Sequence, residues 1–164
     1  MQLALRRPPA DDEHGAPSAL TGLLSYLDVV HGFALTLTGD PGRAADLTER
    51  VFQSLHDDLW STLGGHRLRD RLLARCVAAF MEGAPSGEAW KAGAAPRAEL
   101  DPSGLAALLR GLPWRERAAI ALVDQLGLTY AAGAAVLGVE VAEFRTVLHG
   151  GRAVLFAAYR AGAR

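Results

Sequence analysis

A chain of 164 residues, half of them hydrophobic, can bury one core or two small ones, which excludes a disordered tail. Seventeen Lys and Arg against eighteen Asp and Glu leave a net charge of −1, so indiscriminate adhesion to polyanions is excluded as well. The balance is uneven. Residues 1–95 hold nine basic and twelve acidic side chains, and residues 96–164 hold eight and six, so the C-terminal part is the likelier to face an anionic partner.

Residues 1–17, with Pro8, Pro9, Asp11, Asp12 and Glu13, read as a disordered leader. Arg6 and Arg7 follow a very short apolar run, the reverse of a secretory signal, and no later segment is apolar enough to span a bilayer. A cytoplasmic protein without membrane insertion is therefore expected. Ser18 is placed to cap a first helix with Leu20, Leu23, Leu24, Leu27, Val30, Phe33, Ala34 and Leu37 on its apolar side, stopping at Gly39. Asp40 caps a second helix that takes Pro41 in its first turn and carries Leu47, Val51, Phe52, Leu55 and Leu59 up to Gly64 and Gly65. A third helix from about His66 to Met81 presents Leu68, Leu72, Leu73, Cys76, Val77 and Phe80.

From Gly83 to Pro102 the composition turns to Gly, Ala, Pro, Ser and isolated charges, the character of a flexible linker. Helical periodicity then restarts with Leu105, Leu108 and Leu109. Pro113 opens a helix bearing Ala118, Ile120, Ala121 and Val123 that ends at Gly127. Thr129 caps a short helix from Tyr130 to Leu137, Gly138 closes it, and the last helix runs from Val141 to Arg160. A short helix, a tight Gly turn and a second amphipathic helix make the sequence form of a helix-turn-helix. The expected fold is all-α: a three-helix N-terminal unit (18–82), a linker (83–102) and a four-helix C-terminal unit (103–164).

Enzymatic motifs are missing. Gly64-Gly65 and Gly150-Gly151 follow no strand and precede no Lys-Ser or Lys-Thr, so neither is a phosphate loop, and no Ser stands in a nucleophile elbow. His31, His56 and Asp57 lack the spacing of a metal site, as do His14, His66 and His149. No metal and no cofactor is expected, and Cys76, the single cysteine, reads as an inert core thiol. On the last helix Arg145, His149 and Arg152 stand four and three residues apart, which sets them on one face within reach of phosphates or a major groove.

Leu112 to Leu155 resembles the C-terminal promoter-binding domain of the extracytoplasmic-function sigma factors. Leu112-Pro113 matches the entry to the helix before the motif, Arg115-Glu116-Arg117 its polar face, Leu126-Gly127-Leu128-Thr129-Tyr130 its turn and cap, and Leu137-Gly138-Val139 the turn before the recognition helix. The N-terminal unit is similar to the family's polymerase-binding domain through residues 33–40 and 45–52. The resemblance implies a transcription initiation factor, not an enzyme. Arg145, Thr146, His149 and Arg152, with Trp60, would contact promoter DNA; Asp46, Glu49 and Arg50 would contact core RNA polymerase, and an anti-sigma factor is a further partner. Three features depart from the family's pattern. Val147, Gly150 and Gly151 interrupt the recognition helix, Gly133 replaces a branched apolar residue, and the third helix ends in Ala78-Ala79-Phe80-Met81-Glu82 where a basic cluster is usual. The second reading is a sigma-like interaction module, a decoy or regulator that binds an anti-sigma factor or polymerase without opening promoters. Limited proteolysis is expected to cut first between Gly83 and Pro102; resistance there with earlier cleavage inside either unit would remove the linker.

Overall fold

The computed structural model describes residues 19–54, 66–83 and 102–162, which form seven helices and no strand. The N-terminal three are α1 (Ala19–Thr38), α2 (Pro41–Gln53) and α3 (His66–Glu82). Gly39 breaks α1 because the chain turns there at φ +67°, a conformation that glycine adopts without strain. The Asp40 carboxylate accepts the backbone N–H of Arg43 at 2.8 Å, and Pro41 starts α2 where no N–H is needed. Along α2 the buried residues are Ala44, Leu47, Thr48 and Val51, the i, i+3, i+4, i+7 spacing that turns one stripe to the core. Against it pack Val30, Phe33, Ala34 and Leu37 of α1 and Leu72, Leu73, Cys76 and Val77 of α3. Leu27, expected on the apolar side of α1, is instead exposed, because it stands at the rim of a groove between α1 and α2. The expected Ser18 cap, Leu55 and Leu59 lie outside the described residues, as do 84–101 of the expected linker.

The C-terminal four are α4 (Pro102–Gly111), α5 (Trp114–Ile120, continued by a π-helical turn Ala121–Gln125), α6 (Tyr130–Leu137) and α7 (Val141–Gly162). In the π-turn the Leu126 N–H reaches the carbonyl of Ala121, five residues back, at 3.0 Å, and Gly127 at φ +67° then ends the helix. The Thr129 hydroxyl accepts the Ala132 N–H at 3.2 Å and caps α6. Gly138, at φ 65° and ψ 34°, reverses the chain into α7. Leu105 of α4 is half exposed, whereas Leu108 is buried.

The two units are not held apart. One buried cluster runs from Val30 of α1 through Leu72 of α3 to Phe144 and Leu148 of α7, with α1 against α5 and α3 against α6. Among the described residues, polar and aromatic links cross this seam. Phe80 of α3 meets Trp114 of α5 with ring centroids 5.7 Å apart and planes tilted by 59°. Arg69 of α3 donates to the Leu126 carbonyl at 3.4 Å.

A third link corrects the sequence reading of Arg117. Expected on a polar face beside Arg115 and Glu116, Arg117 is only 6 % exposed. Its guanidinium donates from Nη1 to the carbonyls of Arg110 (2.8 Å) and Leu112 (3.0 Å) and from Nη2 to that of Leu37 (2.8 Å). Arg110 and Leu37 lie in the last turns of α4 and α1 and Leu112 directly follows α4, where helices leave carbonyls without internal partners and carry partial negative charge. The cation thus closes two helix ends at once, although burial pulls its pKa below the usual arginine value. Arg117→Met fills the space but leaves three carbonyls unpaired, and is expected to lower unfolding free energy by about 3 kcal/mol. Urea denaturation checks this; a change under about 0.5 kcal/mol would show that water replaces the guanidinium at no cost.

Candidate nucleic-acid interface

Position along α7 decides what each of its side chains can do. Phe144 and Leu148 are buried and fix the rotation of the helix, which leaves Arg145, Thr146, His149 and Arg152 exposed on the opposite side. These four are the residues expected from the sequence, and the fold brings them together on one helix face. Arg145 and Arg152 lie seven residues apart, about two turns or 10 Å along the axis.

Their local partners differ. The Arg145 guanidinium sits 5.7 Å from the centre of the Tyr130 ring, so the first residue of α6 carries a cation over its aromatic face. Tyr130, Arg145, Leu148, His149 and Arg152 surround a hollow of about 240 Å³ between α6 and α7. Thr146 turns its hydroxyl back to the Ala142 carbonyl at 3.1 Å, which leaves that oxygen's lone pairs to accept from outside. Arg152 makes a two-pronged ion pair with Asp124 of the π-turn, Nη2 to Oδ1 and Nε to Oδ2, the latter at 3.2 Å. This pairing, absent from the sequence reading, holds Arg152 more firmly protonated than an ordinary arginine.

Two of the departing glycines have packing reasons. A Cβ on Gly133 would lie 2.5 Å from Cζ of Phe144, because the phenyl ring occupies the volume that a branched side chain at 133 would fill. A Cβ on Gly151 would come within 2.9 Å of Ile120 Cδ1 and 3.0 Å of Glu116 Cβ, so that glycine lets α7 approach α5. At Gly150 a Cβ would make only ordinary contact, 3.5 Å from the Glu116 carboxylate, and nothing in the packing requires a glycine there.

The residues expected at a polymerase surface lie on α2. Asp46 and Glu49 are exposed, and Glu49 accepts from Gln53 Nε2 at 2.7 Å. Arg50 reaches across to α3, where Nη2 donates to the Ala79 carbonyl at 3.2 Å, so it ties α2 to the end of α3 while its edge remains exposed. Asp46 and Arg50 line a hollow of about 340 Å³ with Thr38, Arg43 and Phe80. Trp60 lies outside the described residues. Cys76 is fully buried, and loss of hydration pushes its thiol up to about 12 against the smaller opposing pull of Arg50. Among the described residues no His, Cys, Asp and Glu cluster could hold a metal ion, and no helix is long and apolar enough to cross a membrane.

This arrangement of seven helices is the all-α fold of the extracytoplasmic-function sigma factors. Among solved structures it is similar to the sigma factor RpoE from Bartonella quintana, determined in complex with the anti-sigma factor NepR, with a TM-score of 0.69 over 88 % of this chain and 98 % of that one. Sequence identity is 20 %, so the likeness is one of fold. No family model matches the chain, and no curated protein matches it either.

The tight fit at the α6 and α7 crossing makes a prediction. Gly133→Ala forces the Phe144 ring out of place and should destabilise the protein by about 2 kcal/mol, whereas an alanine in an open helix would stabilise it. Thermal denaturation of Gly133→Ala, Phe144→Leu and the double variant checks this. The double variant should lose less than the sum of the two single losses; strict additivity would mean that the two residues do not share that space.

Proposed function

We propose that this chain is a sigma-factor-like transcription initiation protein, binding core RNA polymerase through α2 and promoter DNA through α7. The observation that carries the reading is the exposed row of Arg145, Thr146, His149 and Arg152 on the second helix of a helix-turn-helix, set within a sigma-factor fold. On this reading the four residues contact one promoter element. Asp46, Glu49 and Arg50 face the polymerase, and Trp60 with the segment leading to Arg75 faces a second promoter element. The protein acts in the cytoplasm, needs no cofactor and catalyses no reaction itself. Residues 18–82 and 103–164 are two domains joined by the linker 83–102, and an anti-sigma factor is the natural regulator.

Few cations limit the counterion release available to the free protein, so DNA affinity rests on delivery by polymerase. A second reading, the sigma-like decoy or regulator, is favoured by the basic-poor end of α3 at Ala78 to Glu82 and by the neutralisation of Arg152 by Asp124. Of the helix-interior glycines, Gly133 and Gly151 fit their neighbours and so do not bear on the choice.

Core polymerase reconstituted with wild-type or Arg145→Ala protein, and assayed by run-off transcription on a selected promoter library, separates the readings. Initiation by the wild type is expected, and Arg145→Ala should reduce it by the equivalent of about 1–3 kcal/mol if that residue makes a base contact. Co-purification with core polymerase but no promoter-dependent initiation by the wild type would replace the first reading with the second.

A further inference from the structure

The proposed DNA face carries a carboxylate inside it. Asp124 does not belong to either helix of the helix-turn-helix; it stands in the π-turn at the end of α5, 28 residues before Arg152. Both of its oxygens are taken by Arg152, through Nε and Nη2, the same fork that an arginine offers to a phosphate. The pair is open to solvent, with side chains 43 % and 40 % exposed for Arg152 and Asp124, so it contributes little to folding. Tyr130, Arg145 and His149 border Arg152 in the same hollow; the Tyr130 side chain is its second hydrogen-bond partner after Asp124, and none of the three carries a carboxylate.

We infer that Asp124 is a built-in competitor for DNA phosphate: it occupies the Nε and Nη2 fork of Arg152 and must be displaced when the α7 face closes on a duplex. The inference rests on the DNA-binding reading above and sets the affinity of that face. In the unbound protein Arg152 contributes a neutral pair instead of a free cation, and Asp124 adds a negative charge that faces the incoming backbone. A phosphate that reaches Arg152 therefore exchanges one anion for another. Binding is weaker and its salt dependence shallower than the three basic residues of the face would give alone.

Asp124→Asn tests this, since the amide keeps the shape and one acceptor while removing the charge. Full-length wild type, Asp124→Asn, Arg152→Ala and the double variant are titrated onto a fluorescent duplex of mixed sequence over a range of NaCl concentrations. Each is measured both free and bound to core polymerase, with circular dichroism melting to verify the fold. Asp124→Asn should bind about two- to fivefold tighter, the range set by an exposed ion pair. Its slope of log affinity against log salt should steepen by about 0.9, one additional phosphate contact. The gain must vanish in the double variant. Salt-dependent binding by the wild type that Asp124→Asn leaves equal or weaker overturns the inference while the DNA reading stands. If no protein binds with any salt dependence, free or with polymerase, the DNA reading itself fails and takes the inference with it.

Discussion

A single buried cation, Arg117, organises the junction on which both halves of this protein depend. Its side chain is removed from water, and its hydrogen-bond partners among the described residues are the carbonyls of Leu37, Arg110 and Leu112. Helix ends are suited to that task, because their last carbonyls have no partner within the helix and the peptide dipoles converge there. Its Nε nonetheless finds no partner among the described residues. Burying a charge without a counter-ion is expensive, and the cost is offset only while α1, α4 and α5 keep their ends together. The N-terminal unit is therefore held to the C-terminal helices by the Arg117 bond to Leu37, as well as by the apolar seam around Phe80 and Trp114, while the other two bonds of the guanidinium tie α5 to the end of α4.

Much of the framework was readable from local chemistry. Asp40, Pro41 and Gly39 mark the α1–α2 junction through effects that act within four residues, and Thr129 and Gly138 bound α6 in the same way. The alternation of apolar and polar positions along α7 separated Phe144 and Leu148 from Arg145, His149 and Arg152 before any tertiary contact was known. Periodicity carries this information because one helix face is buried and the other wet.

What escaped that reading depends on residues distant in sequence. The acceptor of Arg117 on α1 is 80 residues away, and Asp124 is 28 residues from Arg152, so no local pattern marks either charge as paired. Arg117 stands in a stretch of Arg, Glu and Arg that looks like a solvated face; the one hint is the run of Ala118, Ala119, Ile120 and Ala121 that follows, too apolar for a helix with water on most sides. Leu27 failed in the opposite direction, since an apolar spacing does not reveal where a groove opens beside it. The π-turn likewise has no simple signature in composition.

Gly133 and Phe144 also bear on how such a chain diverges from its relatives. The two residues share one volume, filled by the Phe144 ring of α7 where Gly133 of α6 carries no side chain. A lineage that began with a branched residue at 133 and a smaller one at 144 could not reach this state by enlarging 144 first, which overfills the crossing, and shrinking 133 first opens a void. Each single step loses stability that the second restores. Changes at the two positions are therefore coupled in stability, and exchanging bulk between them would alter two residues while the packed volume barely changed. Shape can persist in this way after residue-by-residue likeness has faded.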